Sequence, residues 1–244
     1  MSLSAPPSLA SLTTLVLAGG LGTRLRPVVS DRPKALAEVG GRPFLAHLLG
    51  WLEGQGVRRV ILCTGYLGEA VEAAFGDRQG ALSLLHSREP EPLGTAGALA
   101  WALRHPVSDP MLVLNGDAFL ETDLGAFLAW YQALAVRQGV LLMSVPDRSA
   151  FGGVELGEGG RIERFLEKGA AGPGPVNAGV YLLHPEDLRA LPLDRPTSLE
   201  RDCFPSWAGR TLYGFQADGS FHDIGTPESY RAADAFTRHP SGGS

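Results

Sequence analysis

Short runs of apolar residues alternate with longer amphipathic stretches along the first 145 residues of the chain. Such runs are typical of strands buried in a parallel sheet, and apolar residues at every third or fourth position predict helices. The pattern predicts strands at residues 15–18, 59–64, 82–85, 111–114 and 140–145, and helices at 43–54, 69–75, 95–103 and 124–137, the last capped by Asp123. Strands separated by helices in this way indicate an α/β fold with a mainly parallel sheet.

The pattern changes after Pro146, where proline and glycine become more frequent. Residues 153–156 and 161–167 flank Gly157–Gly160 and predict a hairpin, followed by strands at 176–183 and 211–215 and a final helix from Pro227. We therefore expect one domain over residues 12–237, with a smaller lobe at 146–237 added to a first part at 12–145. Residues 1–11 and 238–244 are expected to be flexible.

Composition excludes several classes of protein. The chain has 244 residues, 44% of them hydrophobic, and a formal net charge of −5, which argues against general nucleic-acid binding. Its two cysteines, Cys63 and Cys203, have no metal-ligand spacing. The chain shows neither a signal-peptide pattern nor a run of roughly 18 apolar residues, so we expect a cytoplasmic protein without a membrane partner.

A glycine-rich loop at residues 17–26 follows the first predicted strand and ends in two arginines. Its backbone N–H groups can form an anion-binding nest for phosphates. A P-loop would need Gly-Lys-Ser/Thr, and the dinucleotide fingerprint would need glycine where the chain has Leu25. A structural turn remains the alternative to phosphate binding at this point.

Polar residues follow the predicted strand at 111–114, in the order Asn115, Gly116, Asp117. Ligands bind at the carboxyl ends of strands in open α/β sheets. The carboxylate could equally cap the following turn, so the residues alone leave both interpretations open.

Four segments together resemble the sugar-nucleotidyltransferase family: residues 17–25, 31–34, 41–43 and 225–227. The resemblance implies a Rossmann-like three-layer fold and an enzyme of nucleotidyl transfer, with 12–145 as the nucleotide side and 146–237 as the sugar side. The alternative to nucleotide binding is a solvated surface lysine for Lys34 and packing in the core for Tyr66. The implied nucleotide-binding residues are Leu17, Ala18, Gly19, Gly20, Gly22, Thr23, Arg24, Lys34, Tyr66, Pro92, Gly94 and Thr95.

The segment at residues 221–227 resembles the family's second metal-binding motif. The resemblance implies that Asp117 and Asp223, with phosphate oxygens and water, hold Mg²⁺. Neither spacing nor periodicity shows that the two aspartates meet. His222 is not expected to be a ligand.

The sugar side carries further motifs of the family. The resemblance implies that Glu167 and Asn177 bind sugar hydroxyls and that Lys168 pairs with the sugar phosphate. Gly152 and Asn115 complete this predicted site. The family commonly has proline after the lysine, whereas this chain has Gly169. An exposed Glu-Lys pair at a strand end is the structural alternative.

The implied reaction is in-line attack of a sugar 1-phosphate on the α-phosphorus of a nucleoside triphosphate. A phosphate monoester has its second pKa at about 6, so no general base is required. Catalysis is expected to depend on Arg24, Lys34, Asp117, Lys168 and Asp223 through positioning and charge neutralisation.

Several segments most resemble the branch of D-glycero-α-D-manno-heptose 1-phosphate guanylyltransferases, in particular residues 25–34, 92–99, 114–117 and 177–181. The expected partners are therefore GTP and that heptose phosphate. Mannose 1-phosphate, or another hexose 1-phosphate with a different base, is the alternative, and a catalytically silent nucleotide-sugar-binding regulator is a second one. The sequence does not distinguish a monomer from a homo-oligomer.

Overall fold

The computed structural model describes residues 6–20, 32–169 and 171–237, with the side chains of Asp223 and of residues 234–237 left aside. Residues 6–11, part of the terminus expected to be flexible, include a turn in which Ser11 N–H donates to Ser8 O at 2.9 Å. Residues 1–5 and the expected flexible tail at 238–244 lie outside the described residues.

Strands account for the centre of the fold. In chain order they are β1 (Thr13–Leu17), β2 (Glu38–Val39), β3 (Arg42–Pro43), β4 (Arg59–Thr64), β5 (Arg78–Gln79), β6 (Leu82–Arg88), β7 (Met111–Asn115), β8 (Ala118–Glu121), β9 (Gln138–Val145), β10 (Val154–Leu156), β11 (Ile162–Phe165), β12 (Gly174–Leu183), β13 (Leu212–Ala217) and β14 (Ser220–Asp223). Within the described residues, eight of them form one sheet in the order β13-β9-β12-β7-β1-β4-β6-β5. Only β12 and β5 run antiparallel to their neighbours there, which confirms the mainly parallel sheet.

Helices cover both faces of this sheet. They are α1 (Phe44–Gly54), α2 (Gly68–Phe75), α3 (Gly94–Ala102), α4 (Leu124–Leu134), α5 (Glu186–Arg189), α6 (Phe204–Trp207) and α7 (Pro227–Thr237), with a 3-10 turn at Lys34–Leu36 and a π-helical turn at Leu199–Cys203. Side chains alternate across a strand, so Val16 packs with α1, α2 and α4 on one face while Leu15 packs with α3, α5 and α6 on the other. The result is the three-layer α/β fold that the family resemblance implied.

The predicted elements of the first part are confirmed, although the ends of α4 and β6 each differ from the prediction by three residues. The strand at residues 59–64 is found as predicted, and Asp123 caps α4 by accepting hydrogen bonds from Gly125 N and Ala126 N at 2.7 and 3.2 Å. The helix ends at Leu134 and does not reach Arg137, because Ala135 adopts a left-handed conformation that turns the chain toward β9.

The second part of the chain contributes both to the central sheet and to smaller sheets. Strands β10 and β11 form the predicted hairpin. Strand β12 is inserted between β7 and β9, so it pairs on both sides with strands of the first part. Strand β14 pairs with β8 in a separate two-stranded sheet that no sequence pattern predicted.

Candidate active site

A cavity of about 410 Å³ lies where β1, β4 and β7 end at the carboxyl edge of the sheet. Ten of the residues predicted as functional line it together: Leu17, Ala18, Gly19, Gly20, Lys34, Pro92, Gly94, Thr95, Asn115 and Asp117. Predicted residues from four separate segments of the chain thus meet in one cleft. Gly22, Thr23 and Arg24 lie outside the described residues, and their roles stay predictions.

The lysine of the nucleotide side contacts the first predicted metal carboxylate. Lys34 begins the 3-10 turn, and its Nζ lies 2.7 Å from Oδ2 of Asp117. The lysine side chain is 13% exposed and the aspartate 41%. Lys34 is therefore not a free surface lysine, because most of its side chain is buried and its ammonium group points at the cavity wall.

The turn after β7 is packed tightly against the end of β1. Gly116 N–H donates to Leu17 O at 2.9 Å, and a Cβ added to Gly116 would lie only 2.7 Å from that oxygen. Only glycine allows this approach of the two backbones. The contact places Asp117 beside the residues that begin the glycine-rich loop.

The second predicted metal aspartate lies next to the first in the backbone. In the β8–β14 pair, Asp223 lies opposite Ala118, and Ile224 N–H donates to Asp117 O at 3.0 Å. Asp117 directly precedes β8 and Asp223 ends β14, so the backbones of the two aspartates lie close together. The described residues contain no group of three or more histidines, cysteines or acidic residues suited to a metal ion.

Charge in the described lining of the cavity is predominantly negative. The charged residues of this lining are Lys34 and the acids Glu89, Asp117 and Glu200. A triphosphate would be repelled by such a lining unless further positive charge accompanies it. A divalent cation shared by Asp117 and substrate phosphates would supply such charge.

The segment that contains the predicted nucleotide-binding residues Pro92, Gly94 and Thr95 is held in place by the chain around the π-helical turn. Ala96 N–H donates to Thr197 O at 2.9 Å, and Leu199 N–H donates to Oγ1 of Thr95 at 2.8 Å. These bonds fix the N-terminal turn of α3 against one wall of the cavity. Glu200, in the same π-helical turn, lines the cavity, although the sequence pattern predicted no helix or strand there.

Glu89 is a further residue of the cavity that sequence reasoning missed. It directly follows β6, and its Oε2 accepts a hydrogen bond from Leu93 N at 3.1 Å. Burial raises the pKa of the Glu89 carboxyl above its usual value. The strand was predicted to end at Leu85, so the rule that functional residues follow strand ends did not point to Glu89.

Cys63 also lines the cavity but is not suited to act as a nucleophile. It is 1% exposed, and burial, followed by the charge of Glu89, raises the pKa of its thiol to about 12. A thiol with that pKa stays protonated near neutral pH.

The two asparagines of the predicted sugar site lie on neighbouring strands: Asn115 ends β7, and Asn177 lies in β12. Asn177 accepts a hydrogen bond from Gly179 N at 2.9 Å and donates one to the Tyr181 hydroxyl at 3.1 Å. Tyr181 is fully buried, which raises its pKa well above the usual value. Asn177 is thereby held in one orientation while part of its hydrogen-bonding capacity stays unused.

The remaining predicted residues lie apart from the cavity lining. Glu167 and Lys168 are exposed beside the turn that contains Gly152, where Leu166 N–H donates to Gly153 O at 2.8 Å. Within the described part of the chain, neither side chain has a hydrogen-bond partner. Tyr66, which is 56% exposed, is also not among the residues that line the cavity.

The model of the nucleotidyl transferase family matches residues 13–239. The chain belongs to this family. None of this nucleotidyl transferase's helices, over the described ranges, is long and apolar enough to cross a membrane.

Two curated relatives and one solved structure show where in the family the chain lies. It is 34% identical over 229 residues to the D-glycero-alpha-D-manno-heptose 1-phosphate guanylyltransferase of Aneurinibacillus thermoaerophilus, covering 93% of this chain and 99% of that one. It is 35% identical over 221 residues to the mannose-1-phosphate guanylyltransferase of Mycobacterium tuberculosis, covering 88% of this chain but 62% of the relative. The crystal structure of HddC from Yersinia pseudotuberculosis complexed with GMP-PN has a TM-score of 0.82 at 32% identity, covering 92% of this chain and 98% of that one.

Proposed function

We propose that this nucleotidyl transferase moves GMP from GTP to D-glycero-α-D-manno-heptose 1-phosphate in a Mg²⁺-dependent reaction, releasing pyrophosphate and GDP-heptose. The observation that carries the reaction class is the single cleft in which the end of β1, Lys34 and Asp117 meet. The similarity to a heptose 1-phosphate guanylyltransferase over 99% of that relative's length supports the choice of sugar and base.

The triphosphate would lie over the backbone of Gly19 and Gly20, where β1 ends. Their N–H groups and the ammonium group of Lys34 would donate to its oxygens, with Arg24 as the further cation that the family resemblance implies. Lys34 contacts Asp117 in the free protein. When the triphosphate binds, the ammonium group of Lys34 would donate some of its hydrogen bonds to phosphate oxygens instead.

Asp117 and Asp223 would hold Mg²⁺, since their backbones are neighbours and the described lining carries more carboxylates than cations. The bound ion would neutralise charge on the reacting phosphates. In the free protein Lys34 contacts Oδ2 of Asp117, which leaves the second carboxylate oxygen for a ligand bond.

The attacking group is an oxygen of the sugar 1-phosphate, which is already ionised near neutral pH. Its bond to the α-phosphorus forms as the bond from the α-phosphorus to the bridging oxygen breaks, and pyrophosphate leaves with that oxygen. Lys168 would orient the sugar phosphate as a point charge, while Gly152, Glu167, Asn115 and Asn177 form the sugar side.

Mannose 1-phosphate is the second candidate substrate, because a mannose-1-phosphate guanylyltransferase is 35% identical to this chain. The two sugars share the manno configuration and differ in the extra carbon of the heptose. The chain covers 62% of that relative and 99% of the heptose 1-phosphate guanylyltransferase.

A matrix of GTP, ATP, UTP, CTP and dTTP against heptose, mannose and glucose 1-phosphates tests the proposal, with pyrophosphate release as the readout. We expect the highest kcat/KM for GTP with the manno-heptose phosphate. A preference for another triphosphate or for glucose 1-phosphate would refute it. Asp117→Asn and Asp223→Asn should abolish Mg²⁺-dependent release while the protein stays folded by circular dichroism.

A further inference from the structure

A second cavity, of about 460 Å³, lies at the edge of the sheet opposite the candidate active site. Strands β9 and β13 begin there, whereas β1, β4 and β7 end at the active site, and all five run in the same direction. The second cavity is lined by residues 134–137, which lead from α4 into β9, by Arg210, Thr211 and Tyr213 at the start of β13, and by Gly159 in the turn of the β10–β11 hairpin. Among the described residues, the two cavities share none.

The backbone brings two arginines to this second cavity. Gln138 is paired with Leu212 in the parallel β9–β13 ladder, and Gln138 N–H donates to Thr211 O at 3.3 Å. Arg137 and Thr211 therefore lie one position before the first pair of the ladder, and Arg210 precedes Thr211. Two guanidinium groups thus reach one cavity from the starts of adjacent strands.

The guanidinium group of Arg137 is held in one orientation. Its Nε donates to Oδ1 of Asp187 at 2.8 Å, and Oδ2 of the same carboxylate accepts from Nε2 of Gln138 at 2.9 Å. Asp187 is almost fully buried and balances the charge of Arg137, yet the arginine side chain is 53% exposed. Its Nη1 donates to no described residue. One nitrogen of an already oriented guanidinium group is therefore left for a ligand.

Arg210 is the cation of this cavity without a counter-charge. It is exposed, and its guanidinium group has no ion pair or hydrogen bond with any described residue. The hydroxyl groups of Thr211 and Tyr213 likewise have no hydrogen-bond partner in this part of the chain. The charge of Glu158, in the nearby hairpin turn, acts on Arg161. The described part of the lining contains no acid, so it favours an anionic ligand.

The donors of the second cavity suit a phosphate group. Guanidinium groups present planar pairs of N–H donors that match phosphate oxygens, and a phosphate monoester carries three strongly accepting oxygens and a charge of about −1.5 to −2 at pH 7. The C-terminal end of α4 borders the cavity, but its partial charge of roughly −0.5 is smaller than that of either guanidinium group. Two full positive charges therefore outweigh the helix end.

The remaining wall of the second cavity is apolar. Leu134 is 51% exposed although it is a large apolar side chain, and Ala135 and Val136 continue this surface. Sites for small organic molecules have volumes of about 300–1,000 Å³, and this cavity lies within that range. A phosphate ion alone would leave most of it unfilled. The wall thus fits a ligand that carries an apolar face as well as a phosphate group.

We propose that the second cavity binds a phosphate ester of a small organic molecule, with the phosphate group between Arg137 and Arg210 and an apolar face of the organic part against Leu134. The proposal does not depend on the proposed function, because the cavity lies at the other edge of the sheet from the cleft assigned to GTP and sugar 1-phosphate.

Phenyl phosphate is the probe, because it joins one phosphate group to an apolar ring. Titration at constant ionic strength, followed by backbone 1H-15N spectra, shows where it binds. We expect saturable shifts at residues 134–137 and 210–213. Inorganic phosphate and ribose 5-phosphate lack the apolar face and benzoate lacks the phosphate group, so all three should bind more weakly. Benzoate that binds as tightly as phenyl phosphate would contradict a phosphate site.

Arg210→Met is the decisive variant, because Arg210 has no described partner that its loss would leave unpaired. We expect it to weaken binding of phenyl phosphate about 10- to 100-fold, the range for losing one hydrogen bond to a charged group. Arg164→Met is the matched control. It removes the same charge from an exposed ion pair with Glu155, outside the cavity lining, and should keep the wild-type affinity.

Lys34→Met separates the second cavity from the active site. Phenyl phosphate bound beside Arg210 should be insensitive to this change and should leave the resonance of Gly19 in place. If Lys34→Met abolishes binding and Arg210→Met does not, the phosphate group lies in the active site and the proposal is wrong. Lack of saturable shifts up to about 10 mM phenyl phosphate, or an unchanged affinity in Arg210→Met, would also overturn it.

Discussion

Replacing Lys34 by methionine separates its structural role from its role toward phosphate. Methionine keeps the apolar stem and removes the ammonium group, which lies 2.7 Å from Oδ2 of Asp117. If Lys34 acts mainly on the triphosphate, Lys34→Met should reduce turnover much more than it reduces the free energy of unfolding.

The magnitudes follow from the exposure of the two partners. A fully buried pair that loses one partner costs about 3–5 kcal/mol, but Asp117 is 41% exposed and water can solvate it after the change. We therefore expect a loss of about 1 kcal/mol, which corresponds to a decrease in Tm of about 2–4 °C in a chain of this size. Loss of one preorganised charge at a transition state typically lowers kcat by about 100- to 1,000-fold.

The assay combines thermal unfolding with pyrophosphate release at saturating GTP and sugar phosphate. Arg164→Met is the control, because Arg164 forms an exposed ion pair with Glu155 in the β10–β11 hairpin, and this change should leave turnover unchanged. A kcat within about threefold of wild type would refute a role for Lys34 in the reaction. A fall in Tm of more than about 10 °C would instead assign the loss of activity to unfolding.

Three further predictions concern the same cleft. Gly116→Ala should destabilise the fold by about 1–3 kcal/mol in urea unfolding, because its Cβ would lie 2.7 Å from Leu17 O, whereas Gly20→Ala, whose Cβ would have no atom of a described residue within 4 Å, should leave stability unchanged. Glu89→Gln should raise the Tm of the ligand-free protein at pH 8. The folded state raises the pKa of the Glu89 carboxyl, so the charged carboxylate lowers stability at pH 8, and this stability is recovered as the pH falls. Cys63 should resist iodoacetamide at pH 8 in the folded protein, as mass spectrometry can show, because its thiol pKa is about 12.

Local pattern was sufficient for the longer elements of the first part because each buries a continuous apolar surface, but it missed the short strands β2, β3, β5 and β8. Strand β4 and helix α1 follow the predicted bounds closely. The exception is the end of α4, where left-handed Ala135 stops the helix although no glycine marks the position. Where such a helix ends depends on the position of the next strand, and the local sequence pattern carries no information about that position.

The candidate site was predictable only where residues follow strand ends or belong to a motif. Asn115 and Asp117 follow β7 and lie in the cleft as expected. Nothing in the spacing placed Asp223 beside Asp117, because that neighbourhood depends on β8 and β14, two strands of 4 residues each that are too short to show a clear period. Glu89 was missed because β6 continues to Arg88, past the last residue of its apolar run.

The position of β12 has a consequence for how the molecule could be divided. Its ladder joins Val180 to Leu114 on one side and to Leu141 on the other, so backbone bonds connect the two parts of the chain through the middle of the sheet. A cut after Pro146 would leave β7 and β9 with unpaired edges in one fragment and β12 without partners in the other. Neither fragment should fold alone, yet mixing them should restore the sheet, which makes this connection a natural place for a split reporter.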